Sequence, residues 1–223
     1  MKDLFNRLNI EPKNIELYNL AFTHSSYVNE KHEKDDYERL EYLGDAVLEL
    51  VTSDYLYHNC DGEEGELTKL RANYVCENAC WTYASSLDFS NYIKVSNGEE
   101  KEGRRFKKVI VADIFEAFMG AIYLDLGFDT VKRVILEIIT PYIENGGTTF
   151  LADYKSKLQE LVQTEQRSVH YELINETGPA HKKEFTMNVK VDGIIYGTGV
   201  GSSKKEAEQE AAKDALDKLA TLD

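Results

Sequence analysis

The chain has 223 residues, with 26 Lys and Arg against 40 Asp and Glu and a formal net charge of −14. Its 42% hydrophobic and 30% charged residues are a globular composition, which excludes wholesale disorder. No run reaches the roughly 18 apolar residues of a membrane span, and the charged start Met1-Lys2-Asp3-Leu4-Phe5-Asn6-Arg7 lacks a signal-peptide core, so a cytoplasmic protein with no membrane partner is expected.

The chain reads as helix after helix up to residue 145. The stretch Tyr37-Glu38-Arg39-Leu40-Glu41-Tyr42-Leu43-Gly44-Asp45-Ala46-Val47-Leu48 is amphipathic. At about 100° per residue, Glu38, Glu41 and Asp45 fall within about 60° of one another. Leu40, Leu43, Val47 and Leu50 fall opposite and predict a core-facing stripe. Cys60, Cys76 and Cys80 are odd in number and have no CxxC spacing, so they read as reduced and mostly buried, with a zinc site from Cys76, Cys80 and a distant His as the lesser alternative. His24, His32 and His58 have no ligand spacing and read as structural or exposed.

Gly103-Arg104-Arg105-Phe106-Lys107-Lys108 is the concentrated basic run of this part. It is open to two readings: a phosphate contact, or a loop that balances Glu99, Glu100 and Glu102. The net acidic charge does not exclude a nucleic acid, because screening over about 8 Å makes a local patch outweigh the global sum.

The next segment, residues 109–124, is apolar on every side, which predicts a buried helix. Yet Asp113 and Glu116 sit within it at i, i+3, with no basic residue within a turn. Burying two like charges without compensation costs several kcal/mol each. A cation bound by acidic pairs from two helices resolves this at least cost. Oxygen donors suit Mg²⁺ or Mn²⁺, and the scarcity of His and Cys disfavours zinc. A water-filled cleft with raised carboxylate pKa values is the alternative.

Pro141 ends an apolar periodic stretch, and Gly146-Gly147 with Thr148-Thr149 predicts a hinge. This divides the chain into a first domain, 1–145, a linker, 146–152, and a second domain, 153–220. Beyond the hinge the period changes. Tyr154, Leu158, Leu161 and Val162 mark a helix face. Val169, Tyr171 and Leu173 alternate, as do Phe185, Met187, Val189 and Val191. Asp192-Gly193 predicts a hairpin into a third strand, and Ala207, Ala211, Ala215 and Leu219 predict a closing helix. Ser203 and Glu206 form a capping box at its start. Lys204 and Lys205 then lie in its first turn, against the macrodipole, where cations beside free N–H groups make a phosphate site.

Four blocks resemble the ribonuclease III family, in the same order: Ala21-Phe22-Thr23-His24-Ser25-Ser26-Tyr27, Glu38-Arg39-Leu40-Glu41-Tyr42-Leu43-Gly44-Asp45-Ala46-Val47-Leu48, Glu64-Gly65-Glu66-Leu67-Thr68-Lys69-Leu70-Arg71-Ala72 and Val111-Ala112-Asp113-Ile114-Phe115-Glu116-Ala117. The second part resembles a double-stranded RNA-binding domain through Leu158-Gln159-Glu160, Gly178-Pro179-Ala180-His181 and Ser203-Lys204-Lys205-Glu206-Ala207-Glu208. The resemblance implies a full-length bacterial family member with two domains: an all-α endonuclease domain and a small α-β-β-β-α RNA-binding domain. It implies Glu41, Asp45, Asp113 and Glu116 as metal-binding carboxylates, with Asp45 and Glu116 catalytic and Glu38 and Glu64 accessory.

The implied activity is Mg²⁺-dependent hydrolysis of double-stranded RNA by a homodimer, leaving 5′-phosphate and 3′-hydroxyl ends, in rRNA and mRNA processing, with no small-molecule substrate. Ser156, Gln159 and Glu160 would meet a minor groove, Pro179 and His181 a second one, and Lys204 and Lys205 the phosphates. Two positions depart from the family pattern. Tyr42 replaces the usual Phe that plugs a cavity on the partner, adding a hydroxyl that needs a partner when buried. Ser202 stands where a third Lys is common. A non-catalytic RNA-binding relic is the rival reading, and it is disfavoured because all four carboxylates are present.

Overall fold

The computed structural model describes residues 1–32, 34–144, 148–150, 154–164, 167–178 and 183–220. The chain forms two compact units, Met1–Leu151 and Ala152–Asp223. Among the described residues, no helix is long and apolar enough to cross a membrane.

The first unit is helical: α1 (Lys2–Arg7), α2 (Ile15–Ala21), α3 (Ser25–Lys31), α4 (Glu38–Asn59), α5 (Glu64–Val75), α6 (Glu77–Ser86), α7 (Asn97–Lys101), α8 (Lys108–Leu126) and α9 (Phe128–Glu144). Helix α8 is the central post. Its residues Ile114, Phe115, Ala117, Phe118 and Met119 are fully buried, while Val109 and Leu124 at its ends are exposed. It packs most extensively on α4 and α6. Phe118 meets Tyr18, Phe22 and Phe89 with ring centroids 5.1–5.6 Å apart.

The crossing of α4 and α8 is a backbone contact. A Cβ on Gly44 would lie 1.8 Å from the Glu116 carbonyl oxygen, and one on Gly120 would lie 2.3 Å from that of Leu40. Only hydrogen fits at either position, so two glycines bring the helices together where the acidic residues lie.

The first unit departs from the sequence pattern at Pro141 and Leu50. Pro141 does not end its helix, because α9 continues to Glu144. The Tyr142 ring lies 5.1 Å from Tyr83 and 5.4 Å from Phe150, and that aromatic cluster carries the helix past the proline. Leu50 is 57% exposed rather than in the core, while Leu40 and Val47 are buried as expected. Over 22 residues the 3.6-residue period rotates its stripe away from the core. Of the expected linker, Gly146, Gly147, Leu151 and Ala152 lie outside the described residues; within it Phe150 is anchored, being buried, its N–H donating to Asn73 Oδ1 at 2.7 Å and its carbonyl accepting from Asn78 Nδ2 at 2.8 Å.

The second unit is α10 (Tyr154–Thr164), β1 (Val169–Thr177), β2 (Glu184–Val191), β3 (Ile194–Gly201) and α11 (Lys204–Ala220). Its sheet is antiparallel, in the order β1-β2-β3. Asp192 and Gly193 both have positive φ, 49° and 81°, as a tight hairpin turn requires. Its core joins Leu158 and Val162 of α10, Val189 and Val191 of β2, and Ala211, Ala212 and Ala215 of α11. Leu161 and Leu173, expected to face inward, are exposed. A register shift between Leu173 and Asn175 interrupts the alternation of β1 there.

Candidate functional site

The glycine crossing sets Glu41 and Asp45 of α4 beside Asp113 and Glu116 of α8. Asp45 is exposed; the other three are partly buried. Among the described residues, none of the four is ion-paired. Their side chains accept two hydrogen bonds, from the Tyr37 hydroxyl to Asp113 Oδ2 at 3.2 Å and from the Cys80 thiol to Glu116 Oε1 at 3.6 Å.

Burial pushes the Glu116 carboxyl up to about 8, with the charges of Asp45, Glu41 and Asp113 adding to it and the Cys80 thiol opposing. Burial also raises Glu41 to about 7, helped by Asp113, Glu38 and Asp45. Asp113 is raised by burial, against the Tyr37 hydrogen bond, and Asp45 by burial and Glu49. The four form one electrostatic unit without a counter-charge.

They do not converge on a point. Among the described residues, no three His, Cys, Asp or Glu side chains are placed to hold a metal ion as they stand. The donor chemistry nevertheless fits a hard divalent cation: all oxygen, acidic and uncompensated.

Glu38, exposed in the first turn of α4, adds to the field on Glu41 and Asp113. Glu64 is set apart from the four, at the start of α5, and contributes to the field on none of them. It borders a cleft of about 610 Å³ between α4 and α5, lined also by Leu50, Ser53, Tyr57, Leu67 and Arg71. Tyr42 is 82% exposed on α4.

The basic run divides between its two readings. Arg104 pairs with Glu99 at 3.0 Å and Glu102 at 2.9 Å, and Arg105 with Glu100 at 2.6 Å, so the arginines balance the local acids. Lys107 and Lys108 stay exposed, with Lys108 bonded to Asn78 Oδ1. Of the three histidines, His24 is structural, its Nδ1 capping α3 by accepting from the Ser26 N–H, while His32 and His58 are exposed, His58 lying 3.6 Å from Asp54. Cys80 is buried, Cys60 and Cys76 are partly so, and all three are free.

In the second unit, Ser156, Gln159 and Glu160 lie on the exposed side of α10, opposite Leu158 and Val162. Lys204 and Lys205 are exposed in the first turn of α11. The Ser203 hydroxyl accepts from the Glu206 N–H at 3.2 Å. The Ser202 N–H and hydroxyl donate to the Glu206 carboxylate at 2.8 and 2.6 Å, so Ser202 itself belongs to the cap. Pro179 and His181 lie outside the described residues.

Two residues at the site were not assigned to it by sequence: Tyr37, which directly precedes the acidic helix, and Cys80, read chiefly as a buried thiol. Each reaches a carboxylate distant in sequence.

Residues 14–143 match a family model described as ribonuclease-III-like, and residues 154–219 match the double-stranded RNA binding motif. The chain is 45% identical to a ribonuclease 3 of Onion yellows phytoplasma over 99% of this chain and 92% of that protein. It is 48% identical to a ribonuclease 3 of Listeria monocytogenes over 93% and 92%. A solved ribonuclease III nuclease domain from Campylobacter jejuni, described as flexible in a region involved in dimer formation, superposes with a TM-score of 0.58 at 40% identity. It covers 62% of this chain and 94% of that one.

Proposed function

Because the chain belongs to the ribonuclease III family, and is an endoribonuclease with a double-stranded RNA-binding motif, we propose that it cleaves RNA duplexes in a Mg²⁺-dependent reaction. The proposed products carry 5′-phosphate and 3′-hydroxyl ends, and the proposed setting is rRNA and mRNA maturation in the cytoplasm. The observation that carries this reading is the uncompensated carboxylate unit at the α4–α8 crossing.

Glu41, Asp45, Asp113 and Glu116 are the proposed ligands of Mg²⁺, with Mn²⁺ a substitute. When bound, the cation activates water and offsets charge on the reacting phosphate. The chain's own residues set the conditions. Glu116 and Glu41, pushed by burial up to about 8 and about 7, would have to give up any proton they hold on becoming ligands. An anionic phosphodiester is repelled by this cleft until its charge is neutralised. Asp45, the exposed member, and Glu116, partly buried, are the proposed catalytic pair. Glu38 strengthens the negative potential, and Glu64 is assigned an accessory contact to the RNA backbone.

The second unit supplies affinity by shape. Lys204 and Lys205 at the α11 N-terminus are the proposed phosphate contacts. Ser156, Gln159 and Glu160 would line a minor groove, with Pro179 and His181 reaching the next within a footprint of about 16 base pairs. A homodimer is the proposed assembly. Exposed Tyr42, Leu50 and Tyr57 on α4 are its apolar surface, and the C. jejuni domain is described in terms of dimer formation.

A long RNA duplex incubated with and without Mg²⁺, beside a single-stranded control, tests the reading. Duplex-specific cleavage that stops with chelator and leaves ligatable 5′-phosphates is expected. Cleavage that persists in chelator would overturn it.

A further inference from the structure

Asp113 and Glu116 of α8 are each held from outside their helix by an uncharged donor. Tyr37 is buried, its backbone N–H anchored to the Thr23 carbonyl at 3.1 Å, and its hydroxyl donates to Asp113 Oδ2 at 3.2 Å. Cys80 is fully buried on α6, and its thiol lies 3.6 Å from Glu116 Oε1. The Val75 carbonyl, also 3.6 Å from the sulfur, competes for the single S–H. Among the described residues, Asp113 Oδ1 and Glu116 Oε2 have no hydrogen-bond partner.

We infer that Tyr37 and Cys80 are positioning residues that restrain Asp113 and Glu116, each tethering one carboxylate oxygen and leaving the other available to a divalent cation, for which the four carboxylates as they stand would still have to draw together. The inference rests on the assignment of these carboxylates as metal ligands. Three features support it. Both donors are neutral. A Lys or Arg in either place would cancel the charge that draws a cation, whereas a hydroxyl or thiol fixes a rotamer and leaves the charge intact. Both belong to residues that are themselves buried. They come from two different elements, the residue before α4 and the middle of α6, and engage α8 at i and i+3. The two ligands on one helix face are therefore held independently. Each contact spans 36 residues or more of sequence, so neither follows from local helix geometry.

Ordinary packing predicts a different response to substitution. If Cys80 only fills space, Ala should serve better than Ser, because Ser buries a hydroxyl in an apolar site. If Cys80 orients Glu116, Ser should serve better, because it keeps a donor. Tyr37→Phe removes the hydroxyl and keeps the ring.

The test uses the full chain and Mn²⁺ as probe, titrated by electron paramagnetic resonance. Mg²⁺ dependence of duplex cleavage is measured in parallel, and circular dichroism melts confirm folding. Tyr37→Phe and Cys80→Ala should each weaken Mn²⁺ affinity by about 10–100-fold, the usual cost of losing an outer-sphere partner. Cleavage at saturating metal should largely recover, and Cys80→Ser should bind within a few-fold of the unaltered protein. If both Tyr37→Phe and Cys80→Ala bind Mn²⁺ normally while Glu116→Gln does not, the positioning role is overturned and the metal site stands. If Cys80→Ala binds better than Cys80→Ser, the thiol is packing only, and its assignment falls. If Glu116→Gln also binds normally, the metal-site assignment itself fails.

Discussion

A Cβ on Gly44 would stand 1.8 Å from the carbonyl oxygen of Glu116, so the backbone of one acidic helix is pressed against the backbone of the other at a proposed metal ligand. The absence of a side chain at residue 44 sets the distance between the two carboxylate pairs. Gly44→Ala tests this. Helix propensity alone predicts a gain of about 1 kcal/mol from the substitution. The clash predicts the reverse, a loss of about 1–3 kcal/mol, with the helices forced apart and Mn²⁺ affinity reduced. Gly65→Ala in α5, where an added Cβ meets nothing within 4 Å, is the control and should be neutral or mildly stabilising. Thermal melts of the two variants decide it.

Glu116→Gln should reduce duplex cleavage by at least about 10³-fold, the equivalent of about 4 kcal/mol of transition-state stabilisation. Duplex affinity measured by gel shift should stay within a few-fold, because the proposed RNA contacts are elsewhere. Wild-type cleavage by the variant at saturating Mg²⁺ would remove Glu116 from the reaction.

The same carboxyl makes the metal-free protein pH-sensitive. Folded Glu116 holds its proton up to about pH 8 and Glu41 up to about pH 7, whereas an unfolded Glu releases it near about 4.3. Between these limits the folded state binds more protons than the unfolded one. Stability from this pair is therefore complete at the acidic end and is lost as pH rises through the folded values. In chelator, Tm should fall between pH 5 and 8.5, and Glu116→Gln should flatten that decline. Mg²⁺ should restore stability at the alkaline end and release protons on binding, which calorimetry in buffers of different ionisation enthalpy will register.

Truncation after Leu151 keeps Phe150 in its aromatic cluster with Tyr74, Tyr83 and Tyr142. The truncated protein should fold, and cleave duplexes at low salt with weakened apparent affinity, since the second unit no longer raises the local concentration of RNA. Truncation after Asn145 removes Phe150 and should melt at a lower temperature. Unchanged affinity at physiological salt after removal of the second unit would show that the RNA anchor is elsewhere.

Replacing Lys204 and Lys205 together by Ala should weaken binding to all duplex sequences alike. The slope of log K against log[salt] should flatten by something under about one unit per lost contact. Ser203 still caps α11, so helicity should persist. Ser202→Lys should steepen the slope but lower Tm, because it removes the hydroxyl bonded to Glu206. A double Ala variant with unaltered affinity and slope would free the lysines from any phosphate role.

The sequence by itself determined the two-part organisation, the helical and α-β-β-β-α patterns, and the acidic residues of the candidate site. These are legible because helix and strand periods are local, and because charged residues in the wholly apolar helix around Asp113 and Glu116 contradict their surroundings within a single turn. Tertiary structure alone decided the rest, because the rest depends on what each residue meets across long stretches of chain. Leu50 shares the sequence stripe of Leu40 and Val47, yet is turned to solvent by the length of α4. Pro141 carries a stop signal that the aromatic cluster around Tyr142 outweighs. Arg104 and Arg105 resemble a phosphate patch until Glu99, Glu100 and Glu102 are found paired to them. Tyr37 and Cys80 have no motif, because a donor to a carboxylate 76 or 36 residues away leaves no period to read.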